Sequence, residues 1–185
     1  MLASRQTHRG FTLVEVMIVV VIIAVLGTLA VYGVRKYVAS AQTAEATSIL
    51  SSIRGAQEVY RQDTFVYLDV SEGSFANLHP SATPGAFKRD WAGDGDIPAT
   101  SQNFRELGVE VGGPVFYSFG CVAGRSGDAW PSPPTRKTAE QFNFPDEATE
   151  PFYIAVAKGD YDGDGLFDWV LTHSLSNEMY IEPEQ

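Results

Sequence analysis

Residues 9–27 read RGFTLVEVMIVVVIIAVLG, and one acid, Glu15, stands at the head of an otherwise apolar run. From Val16 to Val34 there are 19 residues without a charge, closed by Arg35-Lys36. At about 1.5 Å per residue a helix of that length crosses the roughly 30 Å hydrocarbon layer of a bilayer. A cleaved secretory signal has a shorter apolar region, about 7–15 residues, followed by a small-residue cleavage site. Here the run is longer and two bases follow it. Arg5, Arg9 and the start amine on one side, against Arg35 and Lys36 on the other, tip the topology toward a cytoplasmic N-terminus. The segment is therefore expected to sit in a membrane for at least part of the protein's life. A carboxylate at the centre of such a helix costs about 2.5–3.5 kcal/mol, and less near an interface. Glu15 is either a side chain reaching the head-group region or a group with a function and a partner.

Past Arg35-Lys36 the pattern turns amphipathic. Ala46, Ile49, Leu50, Ile53, Ala56, Gln57 and Tyr60 recur at steps of three and four, while Ser48, Ser51, Arg54, Glu58 and Arg61 take the other face. The spacing predicts one helix from Phe11 to Gln62, about 78 Å long at 1.5 Å per residue, with a hinge at Gly33 as the alternative. From Asp63 onward the texture changes to short strands and turns. Val115–Val122, Phe152–Ala157, Leu166–His173 and Met179–Ile181 are rich in Phe, Tyr, Val and Trp. Clusters of Gly, Pro, Ser and Asp at 80–85, 92–100 and 124–138 read as loops. The expected fold is α+β, a long N-terminal helix whose apolar stripe packs against a C-terminal antiparallel sheet.

Of the 23 acids, 20 lie from Asp63 onward with only 7 bases, a formal charge of −13. That excludes a nucleic-acid surface in this region, which would need clustered Lys and Arg, and suits solubility or cation binding. Cys121 is the single cysteine, so no disulfide forms within the chain. His8, His79 and His173 show no metal spacing. Ser126 in GRSGD lacks the nucleophile elbow, no phosphate loop or zinc pattern appears, and no catalytic residue is expected. Trp91, Trp130 and Trp169 are read as core or turn residues.

The stretch GDYDGDGLFDW, residues 159–169, is the most chemical part of this region. Asp160, Asp162 and Asp164 alternate, Gly165 follows, and Leu166 and Asp168 take the places of a carbonyl ligand and a further acid in a calcium loop. The match fails at the twelfth position, where Leu171 replaces the bidentate Glu, and the flanks read as strands. Two readings stay open: a Ca²⁺ site in a strand-to-strand loop, or a hairpin whose Asp-Gly pairs serve turn geometry alone. Asp90, Asp94 and Asp96 form a weaker second cluster, read as a solvated turn.

The run Gly10-Phe11-Thr12-Leu13-Val14-Glu15, after a short basic leader and before an apolar helix, resembles the processing site of type IV prepilins and pseudopilins. The resemblance implies cleavage between Gly10 and Phe11 by a prepilin peptidase and N-methylation of Phe11. It implies that Glu15 neutralises the N-terminal amine of a neighbouring subunit, a pairing that relieves two charges costly in a dry filament core. The expected organisation is then a leader at 1–10, a transmembrane and filament-core half-helix at 11–34, an amphipathic half at 35–62 and a β-rich head at 63–185. The implied function is a structural subunit of a type IV pilus, major or minor; a type II secretion pseudopilin is the alternative, and a membrane-tethered binding protein or enzyme comes third. The implied partners are other pilin subunits, in homo- or hetero-filaments, the peptidase and an inner-membrane assembly platform. The implied location is a single pass in the bacterial inner membrane before assembly, then an extracellular pilus or periplasmic pseudopilus. Many major pilins carry Gly and Pro where this chain has Ala24 and Tyr32; Gly27 and Gly33 stand nearby, each weakening a helix by about 1 kcal/mol relative to Ala.

Overall fold

The computed structural model describes residues 11–183. Helix α1 runs over Leu13–Thr64. It passes Gly27, Gly33 and Gly55 unbroken, so the hinge alternative at Gly33 does not hold. The chain divides into two compact units, 1–41 and 42–185.

In the first unit every residue from Phe11 to Val38 is exposed, including Ile18, Ile22, Leu26 and Tyr32. From Val16 to Val34 the helix is apolar all round and covered by none of the described residues, which suits lipid or copies of itself.

The second unit begins with the amphipathic part of α1. Its buried residues are Gln42, Ala46, Ile49, Leu50, Ile53 and Gln57, with Ala56 and Tyr60 partly buried against the same core. This is the stripe that the three-and-four spacing anticipates. It packs on a four-stranded sheet in sequential order: β1 (Ser118–Gly124), β2 (Phe152–Gly159), β3 (Asp168–His173) and β4 (Tyr180–Glu182). All neighbours are antiparallel, with Cys121 opposite Ala155, Ala155 opposite Thr172, and Leu171 opposite Tyr180. Alternation along each strand sends Phe119, Cys121, Tyr153, Ala155, Ala157 and Val170 into the core shared with α1. Ile154, Val156 and Leu171 join a second cluster with Leu78 and Phe142. Burying Leu50 or Ile53 completely contributes about 1.5–3 kcal/mol each.

One polar side chain in the stripe does what an apolar one cannot. Gln57, fully buried, donates from Nε2 to the Leu68 carbonyl at 2.7 Å and to Cys121 Sγ at 3.2 Å, and accepts from the Leu68 N–H at 3.0 Å. It thereby fixes the chain returning from α1 to the helix itself, and no donor or acceptor of its amide is wasted. Glu45 makes a similar tie, accepting from the Phe116 N–H at 2.8 Å and pairing with Lys88 at 2.8 Å. The free edge of β1 is covered by residues 71–79: His79 exchanges backbone bonds with Phe119, and Ser71 bonds Cys121 on both its N–H and its hydroxyl. That approach requires Gly120, since a Cβ there would lie 2.7 Å from Ser71 Oγ.

The differences from expectation are local. Val115–Tyr117 precede β1 instead of belonging to it, because Val115 bonds Arg89 in an isolated bridge. β3 starts at Asp168, two residues late, because the Leu166 N–H is taken by the Asp164 carboxylate at 2.7 Å. β4 is shifted by one residue, to Tyr180–Glu182. A second helix, α2 (Pro98–Leu107), was not anticipated, and its first turn falls in the stretch read as a loop at 92–100. Its signals were present: Pro98 in the first turn, Thr100, Phe104 and Leu107 on one buried face, and Gly108 ending it with φ 76°. A short 3₁₀ turn, Glu140–Phe142, carries Phe142 to the second cluster. Trp91 lies in the main core, edge-on to His79 with centroids 4.8 Å apart, and Trp130 and Trp169 border the second cluster, as a packing role requires.

Candidate functional site: the apolar helix and the acidic loop

Glu15 stands in the first turn of α1, and its geometry answers why an acid is tolerated there. The Thr12 N–H and the Thr12 hydroxyl both donate to Glu15 Oε2, each at 2.9 Å, while the Glu15 N–H donates to Thr12 Oγ1 at 3.2 Å. This reciprocal arrangement is a capping box, in which two N–H groups left unpaired at a helix start are satisfied by each other's side chains. A carboxylate in the first turn also faces the positive end of the helix dipole. The signal is legible as Thr-x-x-Glu directly ahead of an apolar run. Phe11 precedes the cap and is exposed. Gly10, and with it the cleavage junction, lies outside the described residues.

In the second unit the loop between β2 and β3 gathers three of the predicted acids. Ligand oxygens of Asp160, Asp162 and Asp164 all lie within 4.8 Å of one another. Each acid also accepts a backbone N–H of its own loop: Asp160 from Gly163 at 2.8 Å, Asp162 from Asp164 at 3.3 Å, Asp164 from Leu166 at 2.7 Å. Gly163 and Gly165 take positive φ, 77° and 86°, which lets the chain curl around the three carboxylates. Asp168 is not in that group. It opens β3, nearly buried, and accepts from the Tyr117 hydroxyl at 3.2 Å. Burial, reinforced by the Asp168 carboxylate, pushes the Tyr117 phenol well above the usual tyrosine range. Leu166 places its side chain half in solvent, and Leu171 is fully buried in β3. The loop joins two strands, so a helix-loop-helix calcium hand is absent.

Comparison with known proteins bears on the N-terminal half first. A family profile described as the prokaryotic N-terminal methylation motif matches residues 5–31. The chain is 33% identical over 92 residues to the type II secretion system core protein G of Pseudomonas aeruginosa, covering 50% of this chain and 64% of that protein. It is 32% identical over 100 residues to the core protein G of Klebsiella michiganensis, covering 54% and 69%. The chain belongs to the type IV pilin and pseudopilin family. It is also 38% identical over 63 residues to the fimbrial protein EcpC of Eikenella corrodens, covering 34% of this chain and 41% of that one. The matched stretches thus span from about two fifths to just over two thirds of these relatives. No solved structure matches the chain.

The remaining polar clusters of this pilin-family chain have structural work. Asp96 accepts from Ser81 Oγ at 2.7 Å and the Ala82 N–H at 3.1 Å, Asp94 pairs with Arg105 at 3.0 Å, and Asp90 accepts from the Ala92 N–H at 3.2 Å. Asp90 thus closes a local turn, Asp94 pairs with α2, and Asp96 ties down residues 81–82. Cys121 is fully buried beside Gln57, and burial pushes its thiol far above the range in which a thiolate forms. His79 is buried with its Nε2 2.9 Å from the Trp91 carbonyl oxygen, and burial lowers its proton affinity. The relatives carry the names of secretion-system and fimbrial components, not of enzymes.

Proposed function

We propose that this chain is a structural subunit of a pilin-type filament, made as a membrane-inserted precursor and polymerised through α1. The observation that carries the reading is the exposure of every residue from Phe11 to Val38, with no charge between Val16 and Val34, a surface that the described residues leave uncovered. Lipid covers it first, with a single pass and a cytoplasmic N-terminus. The same surface of other subunits covers it after extraction. Processing removes residues 1–10 between Gly10 and Phe11, the peptidase methylates the Phe11 amine, and Glu15 meets the corresponding amine of a neighbour. The cap supports this, because it already holds the carboxylate at the helix start. The remaining partners are the inner-membrane assembly platform and subunits of the same or related chains.

A type IV pilus, with this chain as major or minor pilin, is the first reading. The type II secretion pseudopilus is the second, supported by matches to core protein G that run 92 to 100 residues, against 63 for the fimbrial protein. Mass spectrometry of the exported protein tests the shared part: an N-methylated Phe11 as first residue is expected, and an intact leader in a peptidase-competent cell refutes it. Filaments sheared from the cell surface distinguish a pilus from a periplasmic pseudopilus.

The loop of Asp160, Asp162 and Asp164 is further proposed to take Ca²⁺. An all-oxygen donor set with three converging carboxylates suits a hard cation. Each acid commits one oxygen to the loop backbone and keeps the second for a ligand role, with the Leu166 carbonyl within the same turn. Bound there, the ion would neutralise the mutual repulsion of the three acids. Asp168 is better assigned to Tyr117, which its position in β3 favours.

A further inference from the structure

A cavity of about 370 Å³ opens on the second unit between the end of β3, the β3–β4 connection and the 3₁₀ turn. Its apolar wall is Leu171, Phe142, Met179 and Tyr180, and its polar groups include Lys137 and His173. Two features set it apart from an ordinary surface depression. Lys137 lies over the Phe142 and Tyr180 rings, its Nζ 4.3 and 5.4 Å from their centroids. Among the described residues it makes no ion pair, although the region from Asp63 onward carries a formal charge of −13. An ammonium held against aromatic faces, in a domain with many acids to spare, is placed for something other than a neighbour in its own chain. The second feature is His173, more than nine-tenths buried and gripped edge-on by Phe144 at 4.9 Å and Phe142 at 5.9 Å. Its Nδ1 is buried and finds no hydrogen-bond partner among the described residues. A buried ring nitrogen without a partner is destabilising unless something supplies one.

We propose that this cavity binds a small organic carboxylate with an apolar body, the anionic end held by Lys137 and His173 and the body lying on Phe142, Met179 and Tyr180. The ammonium supplies charge and a charge-assisted hydrogen bond. The His173 imidazole, which lines the cavity, supplies a second polar contact to the same carboxylate. Burial, together with the nearby Arg54 and Lys137 cations, disfavours the imidazolium in the empty site. A bound carboxylate reverses part of that bias. Glu178 also lines the cavity and excludes ligands with a second negative charge near the rim. None of these residues belongs to the apolar helix or the acidic loop.

The test is titration of the full-length chain in lipid nanodiscs with 3-phenylpropionate and with its neutral amide, followed by calorimetry and by NMR of labelled histidine. Saturable binding of the carboxylate, about tenfold or more tighter than the amide, is expected. The His173 resonances should shift and its proton affinity should rise on binding. Lys137→Gln, at a half-exposed position, should weaken the carboxylate about tenfold with the thermal transition unchanged, and Lys137→Arg should restore it. Equal binding of acid and amide, no saturation up to the solubility of the probe, or full affinity in Lys137→Gln overturns the proposal. Binding without any response at His173 overturns the role given to that residue.

Discussion

Replacing Glu15 by Ala separates the two loads this side chain carries. In the single subunit the carboxylate closes the capping box with Thr12, through contacts of 2.9, 2.9 and 3.2 Å. Losing such a cap costs about 1 kcal/mol. In the bilayer, removal of an acid returns up to about 2.5–3.5 kcal/mol. The two effects oppose each other and are of comparable size for an acid near the interface, so the variant precursor should insert about as well as the parent. In a filament the outcome is different. On the proposed pairing, a neighbour's buried N-terminal amine loses its counter-charge, which costs about 3–5 kcal/mol. At 1.4 kcal/mol per tenfold, incorporation should fall by about a hundredfold or more. Thr12→Val is the control, since it breaks the box but keeps the acid, and should reduce incorporation by about tenfold at most. The assay is quantitative immunoblotting of the membrane fraction against sheared or purified filaments. Parental filament content in Glu15→Ala, with unchanged membrane levels, would refute the pairing argument. Equal losses in the two variants would assign the effect to the cap alone.

Asp162→Ala combined with Asp164→Ala should lower the thermal transition in calcium and leave it nearly unchanged in chelator. At a hundredfold excess over Kd the lost stabilisation is about 2.7 kcal/mol, or about 5–10 °C, readable by calorimetry; equal losses in both buffers would favour the plain turn. Cys121 should resist alkylation in the native protein and react fully once urea has unfolded it, as mass spectrometry of this single-thiol chain will show. His79 and His173 are both held below the usual histidine value of 6.5, mainly by burial. The unfolded chain then binds protons that the folded one does not, so stability should be level above about pH 6.5 and decline as pH falls below it. Melting curves between pH 8 and 5 in chelator check the sign, and His79→Gln should flatten the decline.

The helix, the family and the side of α1 that faces the sheet can all be read from the residue order. Those properties are periodic or local: an unbroken apolar run, a three-and-four stripe, and a glycine-to-glutamate motif with one spacing. The capping box is equally local, written as Thr12-x-x-Glu15 at the start of the run. α2 was legible from Pro98, its buried face and Gly108, yet Pro, Gly and Asp just upstream masked it. Which distant groups meet is set by folding. Gln57 sits on the stripe like a residue tolerated there, and nothing in its neighbours announces Leu68 or Cys121 as partners. Asp168 reads as the fourth acid of a loop, but strand register turns its carboxylate to Tyr117 instead. The cavity around Lys137 and His173 joins residues about 36 positions apart, which no short window records. Periodicity reports the face a residue takes, because that follows from backbone geometry alone. Partnership depends on how separate elements close on one another, and that is fixed only when the chain is folded.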